Sequence, residues 1–123
     1  MSAAQSSIAV LRFCAGDLQC GLVAAAVESL GAAIPDCPRI SDVLHVPHAV
    51  DPEQRTLRLF AYGRRAQFLV DGPTGIITVR GTDLVPTGRS LRFPHSGPVL
   101  GFAKDAQHIV LLLDVKWLVG QAA

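Results

Sequence analysis

The residues of this chain that could carry chemistry are four histidines, three cysteines, and the carboxylates of Asp71 and Asp114, which each close an apolar run. His45 and His48 are two residues apart with Pro47 between them. Tetrahedral zinc needs three or four converging ligands, and this pair offers two, so both are read as loop and strand-end residues. Cys14, Cys20 and Cys37 have no C-x-x-C spacing. Cys14 and Cys20 flank a short turn and can face each other across it, but the expectation is of small buried hydrophobes, with thiols reduced in a cytoplasmic setting. His95-Ser96-Gly97 places a serine beside a histidine. Adjacent residues rarely present both side chains to one substrate, and the chain has no G-x-S-x-G elbow.

The spaced glycines of Gly72-Pro73-Thr74-Gly75 and Gly81 lack the lysine and the run of backbone N–H donors of a phosphate loop, and are read as a turn. Asp71 and Asp114 are read as caps: Asp114 for a terminal helix, Asp71 for the turn that follows it. No two carboxylates are placed so that a shared environment would split their pKa values. These observations predict a protein that is not an enzyme, with no catalytic residue, no metal and no cofactor.

The elements that would position any site are short. A chain of 123 residues is the size of one compact domain, and with 50% hydrophobic residues it can bury a core. Eleven basic residues balance ten acidic ones, with no run of one sign longer than Arg64-Arg65, which argues against a nucleic-acid partner. The first seven residues hold no basic side chain of the kind that opens a secretory signal. The longest apolar stretch, Ile109 to Val119, is broken by Asp114 and Lys116 and is too short to insert in a membrane. The expected location is the cytoplasm.

Eight prolines and eleven glycines punctuate short apolar runs, which predicts a mainly β chain. Strands are expected at Ile8 to Cys14, Leu18 to Ala24, Arg39 to Val46, Arg55 to Tyr62, Arg65 to Asp71, Gly75 to Arg80, Val99 to Ala103 and His108 to Leu113. Hairpin turns are expected at Ala15-Gly16-Asp17 and at Gly63-Arg64, each with a glycine for positive φ. Phe68-Leu69-Val70 and Ile109 to Leu113 are apolar on both faces, so protein must cover both. Short helices are expected at Ala24 to Glu28 and at Val115 to Val119, the second starting at Asp114 and stopping at Gly120. The polar stretch from Ala49 to Glu53 is the candidate boundary between two lobes of one domain over residues 1–123.

Taken in order, several segments resemble the CheW domain. Gly63 to Gly72 is similar to the family's hairpin and its strand ending L-V-D. Ile76-Ile77 and Val79 match the next apolar strand, and Leu84-Val85-Pro86 its "I-x-P" step. Val99 to Ala103 resembles "I-x-G-V-A", and Ile109 to Leu118 the closing "L-V-L-L-L-D-x-x-x-L". Val10 to Phe13, Gly16, Gly21-Leu22 and Val27-Glu28 resemble the first hairpin and the "V-x-E-V" entry. Arg39 to Leu44 resembles "P-V-I-D-L". The family's strand pair carrying "G-x-x-N-x-R-G" has no counterpart in Ser29 to Pro38, and Gln67 and Pro73 stand where glycine and an apolar residue are usual.

The resemblance implies two intertwined SH3-like β-barrels, the first shortened (about 8–48) and the second over about 54–119, with strands shared. It implies a signalling adaptor that docks on the regulatory domain of a CheA-like histidine kinase and takes the cytoplasmic tip of a chemoreceptor between its barrels. Partner-binding residues would be Gly72, Ile76, Ile77, Gly101 and Phe102, with only one of the two isoleucines facing outward. The alternatives are a reduced module that binds one partner or a second copy of itself, and a β-barrel that binds a small ligand.

Overall fold

The computed structural model describes residues 6–50, 52–86, 97–105 and 108–121. It is mainly β, and the chain opens with β1 (Ser7–Ala15) and β2 (Leu18–Val23), an antiparallel hairpin closed by Gly16-Asp17. Gly16 has φ +61°, and a Cβ there would lie 2.2 Å from the Pro47 carbonyl oxygen, so both conformation and space demand glycine. A single 3₁₀ turn at Ala24–Ala26 leads into β3 (Val27–Ala32). The helix expected at Ala24 to Glu28 is therefore only that turn. Val27 is instead drawn into pairing with the strand that follows.

Between Ala32 and Gln54 the described residues form no strand. The strand expected at Arg39 to Val46 is a short helix, α1 (Ile40–Val43), preceded by a lone bridge from Arg39 to Leu69. Ile40, Val43 and Leu44 have helical spacing and pack on one core, which outweighs the β-branched composition. β4 (Gln54–Ala61) then pairs with the start of β5 (Arg64–Arg80) through the turn Tyr62-Gly63, both residues at positive φ.

β5 joins the two strands expected at Arg65 to Asp71 and Gly75 to Arg80 into one strand of 17 residues. The turn expected at Gly72-Pro73 is absent, because here the strand exchanges partners rather than reversing. Its first half pairs with β4 as far as Asp71, which also faces Cys14 of β1, and past an irregularity in register its second half pairs with β1 from Gly75 onward. Pro73, which has no N–H to give a ladder, falls where neither partner needs one.

After a 3₁₀ turn at Gly81–Asp83 come β6 (Leu84–Pro86), β7 (Val99–Asp105), β8 (His108–Leu113) and α2 (Val115–Gln121). Asp114 does start α2, its Oδ1 accepting the N–H of Lys116 at 2.9 Å. The helix runs through Gly120 rather than stopping at it. Sheet order is β3-β4-β5-β1-β2-β8-β7-β6, with β2 and β8 parallel.

Two apolar cores result. The larger gathers Leu11, Phe13, Leu22, Ile40, Leu57 and Phe68, closed by Leu118 of α2. The smaller holds Val10, Val79, Ala103 and Val110, with Ile77 and Leu112 against it. Strands β1, β5 and β8 feed both: Val10 and Leu11 of β1 face opposite cores, as do Val110 and Leu111 of β8, whereas β5 serves the larger core with its first half and the smaller with its second. Each core draws on residues from both sides of the Ala49 to Glu53 stretch. No helix among the described residues is long and apolar enough to cross a membrane.

Candidate functional site

Among the described residues, core formation leaves a groove of about 340 Å³ running along β1, β2, β6, β7 and β8. Its floor is where the two cores meet, since Val10 and Leu112 belong to the smaller and Leu22 and Leu113 to the larger. Strand alternation builds its walls. On β7, Gly101 and Ala103 turn inward, so Leu100 and Phe102 turn outward. Val85 of β6 is the ladder partner of Phe102, and Ile8 stands at the start of β1. Ile8, Leu84, Val85, Leu100 and Phe102 are between 36% and 53% exposed, and all five line the groove. An ion pair from Arg12 to Asp105, 3.3 Å, ties β1 to the end of β7.

Of the five residues expected to face a partner, Phe102 and the buried Gly101 line this groove, whereas Gly72, Ile76 and Ile77 do not. Ile76 is 62% exposed on β5, and Ile77 packs against the smaller core, so Ile76 is the outward one. The Gly72 N–H donates to the Glu53 carbonyl at 2.6 Å, which ties β5 to the start of β4. Ile8, Leu84, Val85 and Leu100 were not singled out from sequence. The available signal was alternation on β7, where Leu100 and Phe102 share a face with Lys104.

A polar junction holds the hairpin end of β1 and β2 against β5. Asp71 is buried, and its Oδ2 accepts the Gly16 N–H at 2.9 Å while Arg39 stands 3.8 Å from Oδ1. The carboxylate thus pins the turn onto the point where β5 changes partner, rather than capping a turn of its own. His48 joins this network, with Nδ1 2.9 Å from the Arg39 guanidinium and Nε2 toward Asp42. Since an arginine only donates, Nδ1 is the acceptor and Nε2 carries the hydrogen.

No three His, Cys, Asp or Glu side chains converge on a metal position among the described residues. His95 and Ser96 lie outside the described residues. All three cysteines are free thiols. Burial pushes the Cys20 thiol up to about 12, with the neighbouring Cys14 adding to the effect. Cys14 is raised as well, first by burial and then by the Asp71 charge. Neither is poised as a nucleophile, because the thiolate is the reactive form.

No family model matches the chain, and no curated protein matches it in sequence. Among solved structures it is similar to the scaffolding protein TtCheW from Thermoanaerobacter tengcongensis, with a TM-score of 0.70 over 89% of this chain and 90% of that one. Sequence identity across that match is 13%, so the likeness is one of fold.

Proposed function

We propose that this chain is a non-enzymatic signalling adaptor of the CheW type, acting by docking rather than by chemistry. The observation that carries the reading is the apolar groove at the junction of the two lobes, walled by Ile8, Leu84, Val85, Leu100 and Phe102 in a CheW-like fold. Its shape and composition suit the apolar face of a helical segment, which in this reading is the tip of a chemoreceptor hairpin. Ile76 marks a second apolar position on β5, assigned to the regulatory domain of a CheA-like histidine kinase. Gly101 and Phe102 contribute to the first surface. Gly72 and Ile77 support the strand that carries Ile76.

Affinity at such surfaces comes from a few desolvated apolar anchors with a polar rim, as in transient signalling interfaces. The test is a binding titration of the full chain against receptor-tip and kinase regulatory-domain fragments from the same genome. Val85→Glu and Phe102→Glu are expected to weaken receptor binding by about 2 kcal/mol or more, the cost of losing a central anchor. Because both side chains are partly exposed, their folding stability should stay within about 0.5 kcal/mol of the parent. Unchanged receptor binding in both variants would sink the reading.

A second reading is a reduced module that binds one partner or a second copy of itself. The observation favouring it is β3, an edge strand that among the described strands pairs only with β4. Unpaired strand edges seek partners. Sedimentation across a concentration series separates the two: a dimer that forms through β3 and is insensitive to Val85→Glu supports it, and a monomer at all concentrations removes it. If no protein partner binds and an apolar small molecule does, the chain is a ligand-binding barrel instead.

A further inference from the structure

The polar junction around Asp71 includes a histidine, the one ordinary side chain whose charge changes near neutral pH. His48 lies in the loop that follows α1, and its ring is clamped from two sides. Nδ1 stands 2.9 Å from Nη1 of Arg39, and Nε2 faces the Asp42 carboxylate on α1. A guanidinium has no lone pair to offer, so the Arg39 contact exists only while Nδ1 is unprotonated. The geometry is that of the neutral ring. The side chain is 43% exposed, so a proton reaches it directly from solvent.

Arg39 has a second acceptor within reach. Its Nη2 stands 3.8 Å from Oδ1 of Asp71, an ion pair longer than a hydrogen bond, and its Nε and Nη2 are buried without a hydrogen-bond partner. The Asp71 side chain is only 4% exposed, so its attraction for a guanidinium is little screened. When Nδ1 takes a proton it becomes a donor, and two cationic groups then meet at hydrogen-bond distance. Asp42 keeps the imidazolium as a charged pair, while Arg39 loses its acceptor. The acceptor facing it from β5 is Oδ1 of Asp71.

Such a transfer reaches the turn between β1 and β2 by two routes. Oδ2 of Asp71 holds the Gly16 N–H at 2.9 Å, so a closer Arg39 on the same carboxylate repolarises that bond. Gly16 also backs onto the carbonyl of Pro47, the residue before His48. Other groups face the junction as well. Gln54 lies 3.5 Å from Oδ1 of Asp71 and carries no charge. Cys14 stands opposite Asp71 in the ladder, and burial first, then the Asp71 charge, hold its thiol above the ordinary value and therefore protonated. Arg12 is paired with Asp105, Glu53 beside Gly72 is paired with Arg55, and Asp17 and His45 are exposed.

We propose that His48 is a pH-responsive latch on the first hairpin. One proton from solvent binds Nδ1, the hydrogen bond from Nη1 of Arg39 to Nδ1 breaks, and one from Nη2 of Arg39 to Oδ1 of Asp71 forms. The hold on Gly16 changes with it, at the point where β5 exchanges partners. The proposal does not depend on the adaptor reading, since none of these residues lines the groove.

The experiment is a nuclear magnetic resonance titration of the full isotope-labelled chain from about pH 8 to about pH 5, the range over which histidine changes charge. At the alkaline end the His48 ring is expected to carry its hydrogen on Nε2 alone. On acidification the Gly16 amide and the Arg39 Nε–H signals should shift with the midpoint of the His48 ring. His48→Gln keeps an acceptor for Arg39 and a donor for Asp42 but does not titrate. In that variant both signals should stay flat while the rings of His45 and His108 still titrate. The parent titration decides by itself if the variant folds poorly. A hydrogen on Nδ1 at the alkaline end, Gly16 and Arg39 signals that stay flat or follow another histidine, or the same shifts in His48→Gln would overturn the proposal.

Discussion

At the residue scale, Asp71 shows how one side chain can hold distant segments together. It receives the Gly16 N–H from 55 positions away and faces Arg39, whose Nε and Nη2 are buried without a hydrogen-bond partner. Asp71→Ala leaves both the amide and the guanidinium uncompensated, and the expected loss is about 2–4 kcal/mol in urea unfolding. Asp71→Asn keeps an acceptor for Gly16 and is expected to lose less, about 1–2 kcal/mol. Cys20 makes a second prediction at this scale. Its thiol ordinarily titrates at 9.0 and is held up to about 12 in the fold, so above about pH 9 the unfolded chain releases a proton that the folded chain keeps. Its contribution to stability is complete below that pH and declines as pH rises toward 12. Urea midpoints measured from pH 8 to pH 11 should fall on the alkaline side for the parent and fall less for Cys20→Ala.

The elements were unequally legible. Turn chemistry announced both hairpins, because glycine at positive φ is a local requirement. The two glycines nevertheless differ in surroundings: Gly63, at φ +72°, has nothing within 4 Å of a built Cβ, whereas Gly16 has the Pro47 carbonyl at 2.2 Å. Gly63→Ala is thus expected to cost about 1–2 kcal/mol, the conformational penalty alone. Gly16→Ala should cost about 3 kcal/mol or more, because displacement of backbone adds to it. Thermal unfolding of the two variants side by side checks the order. α1 was hidden by its composition, since Ile40, Val43 and Leu44 suit a strand as well as a helix and only packing on the larger core decides. β5 was hidden by Gly72-Pro73, whose local meaning is a turn and whose meaning in the sheet is a change of partner.

For the whole molecule, three strands contribute buried residues to both cores. A chain built that way should unfold in one step, with Trp117 fluorescence, which reports the larger core, and far-UV ellipticity, which reports the entire sheet, giving one midpoint. Separate midpoints would show lobes that unfold independently. The groove belongs to β1, β2 and the last three strands, and the Asp71 junction to β5 and the turn between β1 and β2.

Composition and punctuation by themselves determined that the chain is mainly β; the 17-residue β5 departs from the short strands they predict, and β8, with Ile109 63% exposed, is covered on both faces only from Val110 onward. Motif order was enough for the CheW-like fold, because the spacing of apolar strands and turns is a local property that survives when little else of the sequence does. Of the expected contact residues, Gly101 and Phe102 came together in one groove, with partners from β1 and β6 that no local pattern links to them. Tertiary structure alone decided that Ile76 faces outward and Ile77 inward, and that Asp71 serves Gly16. The physical reason is common to both. Each depends on which strand lies beside which and in what register, and register is set by the packing of the entire core rather than by any residue's immediate neighbours.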